Sequence, residues 1–227
     1  APPTPEKSPP AVANVPSAAL PAGRQPLRRY STSPVRCLVI GSSTGGPQAL
    51  ARVLADVGPT LARVPVLITQ HMPPTFTAIL AEHLGRATGI PAAEARDGET
   101  LRPGRILVAQ GGRHLVMAKA GDGVVARLND APPENFCRPA VDPLFRSAAD
   151  AFGAGTLAVV LTGMGTDGAK GSLVIADAGG SVIAQDEETS VVWGMPGAVV
   201  SAGSCVEVLP LGRIGAKIAR LIAGGRP

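Results

Sequence analysis

From residue 35 onward, short apolar runs alternate with helix-patterned stretches, each run closed by glycine or another turn residue. VRCLVI (35–40) is followed by a helical pattern over Pro47–Val57, with proline suited to a first helical turn. VPVLITQ (64–70) is followed by Thr75–Arg86, and TLAVVLTG (156–163) by GAKGSLVIADAG (168–179). VDPLFRSAADAF (141–152) reads as a helix, SVIAQ (181–185) and CVEVLP (205–210) as closing strands, and IGAKIARLIA (214–223) as a terminal helix. RILVAQ (105–110), HLVMAK (114–119) and VVARL (124–128), separated by glycine-containing turns, read as a small antiparallel meander. Strands alternating with helices predict a doubly wound α/β fold. Its sheet is mostly parallel, with helices on both faces and a small antiparallel hairpin. Hydrophobic residues make up 45% of the 227 but aromatics only 3%, so the core must be aliphatic, as buried parallel sheets are.

Residues 1–34 break this pattern. They hold nine of the 23 prolines, and Lys7, Arg24, Arg28 and Arg29 against Glu6 alone, a net of +3 out of the chain's +4. A stretch so poor in apolar side chains predicts an extended, mostly disordered linker, with the folded domain over 35–227. The domain is left near neutral, without the basic stripe a nucleic-acid binder carries. No run of 18 apolar residues occurs and no signal-peptide pattern opens the chain, so a cytoplasmic location without membrane insertion is expected. Cys37, Cys137 and Cys205 lack C-x-x-C spacing, and His71, His83 and His114 are scattered. No metal site and no cofactor is expected from that spacing.

In a doubly wound sheet, chemistry collects at the carboxyl ends of the strands. Three candidate groups fall there: the Gly41-Ser42-Ser43-Thr44-Gly45 turn, His71, and Asp167. The turn matches G-x-S-x-G with Ser43 at its centre, the form of a nucleophile elbow. A serine needs an imidazole to take its proton and a carboxylate to orient that imidazole. A glycine-rich strand-to-helix turn also cradles phosphate, so a nucleotide-binding Rossmann-like module is the alternative. Against it, neither G-x-G-x-x-G nor G-x-x-x-x-G-K-[ST] is present. His71 fits a base or a satisfied buried histidine. Asp167 fits a triad acid or a cap for the helix starting near Gly168, and Asp142 is the runner-up acid. His83 suits a solvent-facing rim and His114 a structural role. Met72, Met164 and Met195 could all be core filler. The order serine, histidine, acid is not that of ordinary α/β-hydrolases.

I-G-S-S-T-G-G (40–46), I-T-Q-H-M-P (68–73), R-P-A-V-D (138–142), L-T-G-M-G-T-D-G (161–168), A-Q-D-E (184–187) and V-W-G-M-P (192–196) resemble one family together. It is the C-terminal effector domain of the CheB protein-glutamate methylesterases of bacterial chemotaxis, and the resemblance covers roughly residues 35–225. It implies Ser43 as nucleophile, His71 as base and Asp167 as acid. Backbone N–H groups near Thr44, with the turn at Met164 and Gly165, are the expected oxyanion and substrate contacts. It implies hydrolysis of glutamate γ-methyl esters on methyl-accepting chemotaxis receptors, with deamidation of receptor glutamines as a companion activity. It also implies a receiver domain in full-length relatives. Ser42 departs from the alanine common at that place in the family, a near-isosteric change.

Overall fold

The computed structural model describes residues 26–225. Nine strands form in chain order: β1 (Cys37–Ser42), β2 (Pro65–Gln70), β3 (Ala92–Glu94), β4 (Arg105–Val108), β5 (His114–Ala120), β6 (Gly123–Asn129), β7 (Thr156–Val160), β8 (Ser181–Gln185) and β9 (Glu207–Leu209). The helices are α1 (Gly46–Val57), α2 (Phe76–Thr88), α3 (Val141–Phe152), α4 (Ala169–Asp177), α5 (Met195–Ser201) and α6 (Leu211–Ile222). Seven strands make one sheet in the order β3-β4-β2-β1-β7-β8-β9. Every pairing in it is parallel. The doubly wound fold expected from the alternating pattern is therefore present, and β5–β6 is the antiparallel hairpin.

The two-residue repeat of the strands sorts the core into two layers. Leu38 and Ile40 of β1 point toward α1, α2 and α6, packing with Leu50, Leu54, Leu84, Ile214 and Ile218. Cys37 and Val39 point the other way, onto α3, α4, α5 and the hairpin, with Phe145, Leu144, Ile175 and Val199. Each fully buried aliphatic side chain contributes about 1.5–3 kcal/mol relative to exposure. A one-residue slip of β1 would exchange the two layers, so its register is set on both faces.

Four elements differ from the pattern reading. Residues 105–108 belong to the large sheet, parallel between β2 and β3, and not to an antiparallel meander. Four buried residues carry no period that separates the two cases, and the glycines after them suggested a hairpin. The short edge strand β3 and the helix α5 had no signal strong enough to be read. β1 also ends later than its apolar run, so Ser42 is the last strand residue rather than part of the turn.

Most of the stretch read as a linker, residues 1–25, lies outside the described residues. Beyond it, the Arg28 N–H donates to Cys205 O (2.8 Å), and the Arg28 guanidinium pairs with Asp177 (2.7 Å). Ser31 Oγ donates to Ala154 O (2.8 Å), and Ser31 N–H to Ser181 Oγ (2.9 Å). The chain thus enters the domain beside the amino ends of β7 and β8, at the sheet edge away from the candidate site. Among the described residues no helix is long and apolar enough to cross a membrane.

Candidate active site

The sheet order reverses at β1, which has β2 on one side and β7 on the other. A crevice outside the carboxyl ends of strands opens at such a switch point. Ser43 follows β1, His71 follows β2, and the loop to Asp167 follows β7. The three candidate groups, 28 and 96 positions apart in sequence, therefore share one edge of the sheet.

Gln70, the buried last residue of β2, ties two of these strand ends together. Its Oε1 accepts from Ser42 Oγ (2.7 Å), and its Nε2 donates to Ser43 O (2.9 Å) and His71 O (3.1 Å). This gives Ser42 a place: it orients the glutamine that holds the turn. The geometry also explains glycine at position 46, where a Cβ would stand 1.9 Å from Gln70 Oε1. On the other side, Thr162 Oγ1 donates to Thr44 O (2.9 Å) and the Ser43 N–H donates to Thr162 O (3.0 Å). A Cβ on Gly163 would lie 2.7 Å from Ser43 Cβ, so the loop after β7 presses directly on the turn. Gln70 and Thr162 were not singled out in the sequence, although both sit at strand ends beside the motif residues.

Helix α1 starts at Gly46, three residues after Ser43, and no side chain caps its first turn. Amides left open at a helix start, together with the helix dipole, favour a negatively charged oxygen. Thr44 is exposed at this end. Met164 is 68% exposed at the same edge, not core filler, whereas Met195 is buried. Gly165 lies beside Met164 in the same loop. Val191, which sits against Gly45, and Phe136 are also exposed. Phe136, Met164 and Val191 are thus exposed apolar side chains on loops that carry or contact the site residues.

Asp167 is 1% exposed and accepts five hydrogen bonds. Oδ2 receives His71 Nε2 (2.7 Å) and Val141 N–H (2.6 Å). Oδ1 receives Asn135 Nδ2 (2.9 Å), Asp142 N–H (3.1 Å) and Gly168 N–H (3.0 Å). Burial alone would raise its pKa. The bonds from His71, Val141 and Asp142 outweigh that, and the carboxyl stays below its ordinary value. Two of those donors are the first amides of α3, so Asp167 does cap a helix, but α3 in space rather than the α4 that follows it. The capping and acid roles are filled by the same side chain.

Asp142 takes a different part. It accepts from Gly171 N–H (2.6 Å) and Asn135 Nδ2 (2.9 Å), makes no bond to His71, and is pushed above the usual carboxylate range, chiefly by burial. Asn135 bridges the two carboxylates from a left-handed backbone conformation (φ 50°). A strained non-glycine residue at a site is held there by its surroundings.

Because Asp167 is ionised, His71 Nε2 must carry the proton of their bond, which leaves a lone pair on Nδ1. Among the described residues, the group within bonding distance of Nδ1 is Cys137 Sγ (3.5 Å). Ser43 Oγ forms no hydrogen bond to the imidazole in this arrangement. Free enzymes commonly hold such contacts loose until substrate binds. The other two histidines fall where the sequence placed them. His83 is exposed on α2. His114 is buried, bonded to Pro132 O and Ala140 N–H (both 3.1 Å).

Fold and site together define a doubly wound α/β domain that gathers a serine, a histidine and a buried carboxylate at its switch point. A family profile described as CheB methylesterase matches residues 38–218. The chain belongs to the CheB methylesterase family. It is 61% identical over 199 residues to a protein of Rhodopseudomonas palustris named protein-glutamate methylesterase/protein-glutamine glutaminase of group 2 operon, covering 88% of this chain and 51% of that protein. A protein of the same name from Bradyrhizobium diazoefficiens is 54% identical over 236 residues, covering 99% and 59%. The chain thus spans between half and three fifths of the length of these relatives. The crystal structure of the Thermotoga maritima CheB methylesterase catalytic domain superposes with a TM-score of 0.80 at 40% identity, covering 83% of this chain and all of that one. Family membership does not favour the phosphate-cradle alternative for the 41–46 turn.

Proposed function

We propose that this domain is a serine hydrolase of protein carboxylic esters, cleaving glutamate γ-methyl esters and, by the same route, glutamine amides. The observation that carries the reading is the bond between His71 Nε2 and the ionised Asp167 (2.7 Å), which fixes the tautomer that makes Nδ1 a base. Nδ1 takes the Ser43 proton as Oγ attacks the ester carbonyl. The oxyanion forms beside the uncapped start of α1, with the Thr44 amide and the Met164–Gly165 loop assigned as its donors. The protonated imidazole then gives its proton to the leaving methoxide, releasing methanol. Water, deprotonated by His71, resolves the acyl-enzyme to glutamate. For a glutamine the leaving group is ammonia.

The exposed apolar side chains Phe136, Met164 and Val191 suit contact with an amphipathic helix presenting a glutamate side chain. With the relatives' printed names and the family resemblance, this supports methyl-accepting chemotaxis receptors as substrates and a cytoplasmic setting. A receiver domain in the full-length protein and a catalytic unit over 35–227 belong to the same proposal.

Cys137 is the other nucleophile within reach of His71. Burial, and then the nearby Asp167 carboxylate, push its thiol up, so it rests protonated and is a poor nucleophile. Methanol release from methylated receptor tests the assignment. Ser43→Ala should lose at least about 10⁴-fold in rate with its fold intact. Full activity in Ser43→Ala together with loss in Cys137→Ala would overturn it.

A further inference from the structure

The hydrolytic cycle leaves Cys137 without a task, yet its position beside His71 is specific. Its Sγ stands 3.5 Å from His71 Nδ1, and the ligand atoms of His71, Cys137 and Asp167 all lie within 4.8 Å of one another. With Zn–S near 2.3 Å and Zn–N near 2.05 Å, a tetrahedral ion separates its nitrogen and sulfur ligands by about 3.5 Å. The pair already stands at that bite, with no backbone movement required.

The orientation of the ring fits as well as the distance. Metal-bound imidazoles characteristically donate their second nitrogen to a carboxylate, which fixes the ring and raises its basicity. His71 does this through Nε2 to Asp167 Oδ2 (2.7 Å). Asp167 is in turn held by Asn135 and by the amides of Val141, Asp142 and Gly168. A thiol beside an imidazole is a donor set for thiophilic divalent ions rather than for magnesium or calcium. Cys137 is partly exposed, so an ion can enter from solvent and complete its coordination with water.

We propose that His71 Nδ1 and Cys137 Sγ form a binding site for zinc or another thiophilic divalent cation, with Asp167 as the outer carboxylate, and that its occupancy switches hydrolysis off. On binding, the thiol S–H bond breaks, its proton passes to solvent, and a metal–sulfur bond forms with no change of oxidation state. The switch follows because the metal takes the Nδ1 lone pair that must accept the Ser43 proton. That half of the proposal rests on the serine-hydrolase reading; the binding half does not.

Cadmium titration followed by ultraviolet thiolate-to-metal absorption reads binding directly. A band saturating at one equivalent is expected in the wild type and in Ser43→Ala, and none in Cys137→Ala. Cys37 and Cys205 are buried, so they add nothing to it. In the hydrolysis assay, zinc should lower the wild-type rate at least about tenfold, and a chelator should restore it. Cys137→Ala, scored against its own zinc-free rate, should need at least about ten times more zinc for the same fractional loss. A missing wild-type band, or one that persists in Cys137→Ala, overturns the site. A normal band with zinc-insensitive hydrolysis overturns the switch. If the band tracks Cys137 but no variant hydrolyses the ester, the hydrolase reading and the switch fall while the metal site stands.

Discussion

His71 and His114 are both largely withdrawn from water and both have a partner on each ring nitrogen, yet they are opposites chemically. His114 opens β5 and is closed by two backbone groups: Nδ1 accepts the Ala140 N–H and Nε2 donates to Pro132 O. Its lone pair is spent and its proton has no charged partner. His71 follows β2 at the switch point and has one nitrogen on an ionised carboxylate and the other on a weak thiol partner. What separates a structural histidine from a candidate base here is which groups face it, more than how deeply it lies.

The largest expected effects test that contrast in catalysis. His71→Gln should lose at least about 10³-fold in methanol release, whereas His114→Ala, measured per folded molecule, should stay within about tenfold of wild type. Comparable losses in the two variants would break the comparison. Asp167→Asn should come close to the His71 variant, with a drop of up to about 10⁴-fold. An amide cannot accept from His71, Val141, Asn135, Asp142 and Gly168 together, because one side of it must donate.

The same carboxylate has a pH signature. Its folded pKa lies below the unfolded value of about 4, so its stabilisation is complete above that value and is lost as pH falls through the folded pKa. In urea unfolding, the stability gap between wild type and Asp167→Asn should therefore be constant above about pH 5 and narrow below about pH 4. A gap that widens on acidification would contradict the sign. Asp142, shifted upward mainly by burial, has the opposite dependence: neutral pH is where its charge costs most.

His114→Ala should show its effect in stability instead, about 1–3 kcal/mol, because it strands the buried Ala140 N–H. Smallest of all, Ser42→Ala should cost about 1 kcal/mol and leave hydrolysis largely intact, since Gln70 keeps its bonds to Ser43 O and His71 O. Thermal unfolding alongside the activity assay checks both.

The layout of β1, β2 and β7 was readable because each is an uninterrupted aliphatic run followed by a turn and a helix, a pattern few folds share. Their carboxyl-end residues, Ser43, His71 and Asp167, were readable for the same reason. β4 was misplaced because four buried residues have no period to separate a parallel sheet from a hairpin. Gln70 and Thr162 were overlooked because a polar residue ending a strand carries no mark of what it will clamp. Asn135 and Cys137 lie in a loop whose residues meet the site only through the packing of α3 against α4.

The amino-acid sequence by itself determined the alternation, the two-faced core and the turn that carries Ser43, because these depend on local periodicity and on glycine and proline placement. Only the tertiary structure decided which helix Asp167 caps, which nitrogen of His71 is left open, and that Cys137 stands against it. Those relations join residues far apart in the chain, and no local pattern encodes a distance between strand ends.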